Sequence, residues 1–174
     1  LFSQMHAELA RPTYHLRKDV RDWKVSLAQK DLLNSGPSRE KIHPLLYRPF
    51  DVRYTYYTGQ SRGFIGQPQK QVMGNMLSVK NIALCVGRQG QVVGKGEWNL
   101  AFCSDTIQDF NLFYRGGSLN CPLFLNQNYS LFNQQNTNDV HGSTLHSNIN
   151  PLLKEKLTTS YGRKPSPEEV FHYI

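Results

Sequence analysis

From Val52 the side chains alternate, with Val52, Tyr54 and Tyr56 on one face and Arg53, Thr55 and Tyr57 on the other, the period of two of a half-buried strand. One face is expected to enter a core while the other shows a cation and a phenol to a partner. Pro49 lacks an N–H and biases Arg48 toward extended geometry, which sets the start of this strand after it. Upstream, Leu16, Val20, Trp23 and Leu27 recur at helical spacing between Tyr14 and Leu33, and Arg17, Lys18, Asp19, Arg21, Asp22 and Lys24 fill the other face. The pattern predicts a helix there, continuous or broken near Trp23. Asn34-Ser35-Gly36-Pro37 ends it, and Ser38 with Glu40 opens one further turn before Pro44.

Beyond the strand, Thr58 to Pro68 is a glycine-punctuated loop carrying Arg62 and two Gln. Val72/Met76 and Met73/Leu77, each four apart, predict a short amphipathic helix within Gln69 to Val79. Asn81 to Val86 is expected to be a buried strand, followed by a turn, Gly87-Arg88-Gln89-Gly90-Gln91. Trp98 to Ser104, Asn111 to Tyr114 and Pro122 to Leu125 are further strand candidates, with Asp105, Thr106 and Asp109 in a connection and Arg115 to Ser118 in a loop. Asn126 to Asn148 is crowded with amides and hydroxyls and reads as a long irregular loop. Asn150-Pro151 caps a helix from Leu152 to Tyr161 that Gly162 stops, and Ser166-Pro167-Glu168-Glu169 starts another.

Together these elements predict an α+β fold, a twisted and mostly antiparallel or mixed sheet with flanking helices. The organisation expected is a helical N-terminal segment over 1–40, a β-rich core over 41–150 and C-terminal helices over 151–174. With Leu1 at the start and Ile174 inside a helical pattern, the chain is expected to be a piece of a longer protein. Its charge of +7 comes with only 19% charged residues, below the usual value of about 25%. The basic excess therefore lies on a surface otherwise rich in amides and hydroxyls, which favours a polyanion such as nucleic acid.

Cys85, Cys103 and Cys121 stand far apart, with no Cys-x-x-Cys or His-x-x-x-His spacing, so no zinc site or disulfide framework is predicted. Each falls in an apolar run and is expected in the core of a protein from a reducing compartment. No apolar run approaches a membrane span. No phosphate loop, dinucleotide fingerprint, nucleophile elbow or Asn-Pro-Pro-Tyr occurs, and Asp105 and Asp109 lack the Glu-x-Lys of a nuclease centre. Those two aspartates are expected to cap a turn and pair with a nearby Arg. The chain is expected to bind rather than catalyse, with no cofactor and no metal of its own.

The order of short motifs resembles the C-terminal specificity region of the type ISP restriction-modification enzymes. The residues that carry it are Tyr47-Arg48-Pro49-Phe50-Asp51-Val52-Arg53 with Tyr56-Tyr57, then Arg62, Val72-Met73, Met76, Asn81, Leu84 and Arg88-Gln89. Ser104-Asp105, Ile107, Asp109, Cys121-Pro122-Leu123-Phe124-Leu125 and Pro167 to Ile174 follow in the same order. Two departures stand out: Cys121 replaces an aromatic before Pro-Leu, and Asn126 to Asn148 matches nothing. The resemblance implies a DNA target-recognition domain of a bacterial, cytoplasmic enzyme. It also implies adenine methylation in an absent domain, with S-adenosylmethionine there and ATP and Mg²⁺ as further cofactors of the parent. The implied partners are double-stranded DNA and the methyltransferase and helicase domains of the parent chain, with no membrane.

On that footing Arg88, Gln89 and Gln91 are expected to reach base edges, since Arg and Gln make bidentate contacts to guanine and adenine. Arg53, Arg62, Lys70, Lys95 and Arg115 are expected at phosphates or at secondary base contacts, with Tyr57 beside them. For Arg48, Asp51 and Arg53, an internal ion pair at the strand entrance is an equal reading. A different class of function, a docking module for the helicase or methyltransferase parts built on the N- and C-terminal helices, is the alternative.

Overall fold

Asp19 decides where the first long helix begins. Its Oδ1 accepts the Val25 N–H at 3.1 Å and an Arg11 guanidinium at 2.9 Å, so the helix α2 runs over Val25–Ser35 rather than from Tyr14. Residues 14–24 are instead a non-helical connection closed by a Val20–Trp23 bridge. In that connection the Trp23 indole donates to the Phe64 carbonyl at 2.9 Å, a tertiary tie that the apolar spacing does not reveal. The face that α2 buries is Val25, Ala28, Gln29 and Asp31. Before it, α1 (Ala7–Thr13) buries Ala10, and the Gln29 amide donates to the Phe2 and Met5 carbonyls (2.7 and 2.6 Å).

The computed structural model describes residues 1–77, 79–87, 100–113, 117–126 and 145–173. It divides into two units, Leu1–Leu45 with Val52–Lys70 and Leu46–Asp51 with Gln71–Ile174. Gly36 closes α2 at φ 69°, and the Ser38 hydroxyl accepts from Glu40 N–H to cap a 3-10 turn over Arg39–Lys41. Strand β1 (Ile42–Arg48) then starts before Pro44, and β2 (Asp51–Tyr56) returns alongside it. The sheet order is β2-β1-β5, where β5 is Ile107–Gln108. Val52 and Tyr54 are exposed (55% and 77%), against the expectation that they face a core, and only Tyr56 and the following Tyr57 are buried.

In the second unit, the expected short helix forms as α3 (Lys70–Leu77); Met73 and Met76 of its apolar pairs are buried together with Gly74 and Asn75, while Val72 and Leu77 are half-buried. Strand β3 (Ala83–Gly87) lies between β4 (Ala101–Ser104) and β6 (Ser118–Pro122), antiparallel to both, with Leu84 opposite Cys103 on one side and Cys121 on the other. Only one face of β3 is buried, that of Ala83, Cys85 and Gly87. Cys103 and Cys121 are therefore exposed and only Cys85 is a core residue, where burial pushes its thiol up to about 12. The expected strand from Asn111 is a turn: Asp109 accepts the Asn111 N–H on its carboxylate and the Leu112 N–H on its carbonyl. That turn drops Leu112 into a core with Leu46 and Cys85, against which Phe102 and Phe113 pack.

Strand β7 (Phe124–Asn126) pairs with β8 (Leu145–Ser147). Asn81 ties it to α3: its amide donates to the Asn75 and Phe124 carbonyls and its oxygen accepts from Ile82 and Phe124 N–H. Helices α4 (Pro151–Tyr161) and α5 (Pro167–His172) begin as predicted, on Asn150 and on a complete Ser166/Glu169 capping box, and Gly162 closes α4 in the left-handed region. The fold is α+β, and among the described residues the strands form three small sheets rather than one.

Candidate nucleic-acid interface

A carboxylate in the buried stripe of α2 organises the loop that follows β2. Asp31, 6% exposed, accepts the Thr58 hydroxyl on both oxygens (3.0 and 2.8 Å) and the Phe64 N–H at 2.8 Å. A buried carboxylate is costly unless its lone pairs are filled, and three donor contacts from the loop fill them. Gly63 closes over it: a Cβ there would sit 2.3 Å from Asp31 Oδ2. Trp23 holds the Phe64 carbonyl, Phe64 packs edge-on to Tyr56 at 5.5 Å, and the Tyr57 hydroxyl donates to the Pro68 carbonyl at 2.9 Å. The loop is thus anchored at both ends and in its middle.

The anchored loop displays Gln60, Ser61 and Arg62 outward. Arg62 itself has φ 55°, a left-handed geometry that costs a non-glycine residue about 1 kcal/mol, and its N–H donates to the Gly66 carbonyl at 2.8 Å. Across from it, Ser26, Lys30 and Asn34 follow one another at spacings of four along α2, giving that helix a polar stripe. Between the two runs an open groove of about 790 Å³, lined among others by Lys24, Lys30, Asn34, Gln60 and Arg62. Among the described residues its walls carry three cations and one carboxylate, Asp31, which is already engaged by the loop.

Charge follows the same division. The first unit holds eleven Lys and Arg against five Asp and Glu, which is +6 of the +7 carried by the chain. A polyanion would therefore be drawn to that unit above all.

Of the predicted site residues, Arg53 lies exposed on β2 and Arg62 on the anchored loop. Lys70 is exposed at the start of α3, its aliphatic stem so close over Gly59 that a Cβ there would meet Cδ at 2.9 Å. Tyr57 is 7% exposed and its hydroxyl is given to Pro68, so in this structure it supports the loop from inside. Arg88, Gln89, Gln91, Lys95 and Arg115 lie outside the described residues. Arg48 sits with its guanidinium carbon 4.0 Å from the Tyr47 ring centroid and is bonded to Asp109 at 3.0 Å. Asp109 thus caps a turn and pairs with an Arg, as its chemistry predicts.

Sequence reasoning missed Asp31, although it stands four residues beyond Leu27 on the same stripe. A carboxylate in an apolar stripe is the signal that could have found it. Among the described residues, no group of three or more His, Cys, Asp or Glu could hold a metal ion, and no helix is long and apolar enough to cross a membrane.

No curated protein and no solved structure matches the chain. The family model described as the type ISP C-terminal specificity domain matches residues 1–174, so the chain belongs to that family and to the target-recognition part of a restriction-modification enzyme.

Proposed function

We propose that the chain binds duplex DNA sequence-specifically on behalf of a parent enzyme that methylates adenine in another domain. The observation that carries this reading is the +6 of the first unit, which also holds a groove walled by Lys24, Lys30 and Arg62. Such a groove suits a phosphodiester backbone, since each neutralised phosphate releases condensed counterions. Asn34 and Gln60 add donors that complete phosphate contacts. Arg53 and Lys70 extend the basic surface, and Tyr57 acts by holding the loop. Arg88, Gln89 and Gln91 are assigned to base edges, with Lys95 and Arg115 on phosphates. S-adenosylmethionine, ATP and Mg²⁺ belong to other domains of a cytoplasmic parent.

Fluorescence anisotropy with mixed-sequence duplex over a salt series tests the reading. Log affinity is expected to fall linearly with log salt, and the triple variant Lys24→Ala, Lys30→Ala, Arg62→Ala to flatten the slope by about 0.9 for each phosphate it no longer neutralises. An unchanged slope would remove the groove from the interface. Arg88→Ala is expected to cost about 1–3 kcal/mol at one base pair; equal loss on cognate and scrambled duplexes would end its base-reading role.

One observation favours a second reading, docking onto methyltransferase or helicase domains: α4 has no buried residue and exposes Leu152, Leu153 and Tyr161. Absence of any DNA binding at low salt, together with capture of the separate methyltransferase domain through α4, would favour it.

A further inference from the structure

Resting on the DNA-binding reading above, we infer that Phe50 is a wedge that stacks on nucleobases and opens a base step. Strands β1 and β2 are joined by two residues, Pro49 and Phe50. Proline sets the first central position of the turn, and Phe50 takes the second at φ 64°. A positive φ at a central turn position calls for Gly or Asn. A phenylalanine there is strained, and burial does not compensate it, because Phe50 is 90% exposed. Neither the backbone nor the core accounts for the choice of residue.

The turn that carries the ring is supported from both sides. Phe102 meets it edge-on from beneath, with centroids 5.0 Å apart. Arg48, one residue before the turn, is locked on the Tyr47 ring and Asp109, and Asp109 N–H bonds the Leu46 carbonyl at 2.9 Å. A single ring on a braced turn suits insertion between stacked bases, where Phe is a recurrent wedge. Stacking accepts any base, since every base has a π face, so this residue would deform the site without encoding its sequence.

The test uses duplexes of a site selected from a random library, with 2-aminopurine placed at successive positions. The wild-type chain is expected to raise fluorescence several-fold at one step. Phe50→Gly is expected to keep the salt slope and to keep or raise the thermal midpoint, because the left-handed strain is relieved. It should lose the fluorescence rise and bind roughly ten- to a hundredfold more weakly, the range of one stacked base. Phe50→Trp should restore the rise. A wild-type chain that binds with a normal salt slope but gives no rise at any position, or a Phe50→Gly chain that still gives it, overturns the wedge and leaves DNA recognition standing. A Phe50→Gly chain whose main change is in self-association also overturns it. No binding by the wild type would remove both.

Discussion

Asp31 shows how much one side chain can govern. Its carboxylate is the acceptor for the Thr58 hydroxyl and the Phe64 N–H, so Asp31→Ala leaves two donors in a dry site without a partner. At about 1–3 kcal/mol for each unsatisfied group, a loss of about 2–4 kcal/mol is expected in urea unfolding, and Asp31→Asn should lose less because one acceptor oxygen remains. A wild-type unfolding midpoint for Asp31→Ala would refute the anchoring role. Gly63→Ala attacks the same bond set from the other side, since its Cβ would meet Asp31 Oδ2 at 2.3 Å. Arg48 is the contrasting case. Its pair with Asp109 is about one-third exposed on both sides, so Arg48→Ala should cost only about 1 kcal/mol. It should also leave the salt slope of DNA binding unchanged, and a flatter slope would show that Arg48 touches phosphate instead.

At the scale of the element, local chemistry was legible wherever it was self-contained. Helices α4 and α5 carry their own caps, and α5 closes a full capping box in which Ser166 and Glu169 each serve the other's backbone N–H. Arg163 adds two bonds to the Glu169 carboxylate, at 2.9 and 2.7 Å. That guanidinium and the Ser166 N–H hold the Glu169 carboxyl at about 2, below the ordinary 4.5. A carboxylate with a lowered folded value stabilises α5 fully above its unfolded value. The contribution is lost as pH falls from about 4.5 toward about 2. Thermal midpoints measured across that window should fall more steeply in the wild type than in Glu169→Gln; parallel profiles would mean the capping box does not act on stability. The start of helix α2 was illegible for the opposite reason. The segment before it is tied down by Asp19, which accepts from Val25 N–H and Arg11, and by Trp23, whose indole reaches the Phe64 carbonyl 41 residues along the chain. A window of periodicity cannot see those partners.

For the whole molecule, the useful quantity is where the charge lies. The second unit carries Lys154, Lys156 and Lys164 but is nearly neutral overall, while the first carries +6. Removing those three lysines together should leave the salt slope of DNA binding almost untouched, whereas the groove triple should flatten it. The reverse result would move the interface to the C-terminal helices.

By itself the sequence determined the α+β class, the family, the capped helices α4 and α5, the amphipathic α3 and the basic, amide-rich surface. Each of these depends on spacing, capping residues or composition, which are properties of neighbours along the chain. Tertiary structure alone decided that the strands among the described residues form three small sheets, that Tyr57 turns inward to Pro68 and that Cys103 and Cys121 face out. It also decided that Asp31 binds the loop that presents Arg62, and that Phe50 stands out from a strained turn. Those outcomes depend on which distant donor meets which acceptor and on which strand ends up at an edge, and a one-dimensional pattern encodes neither.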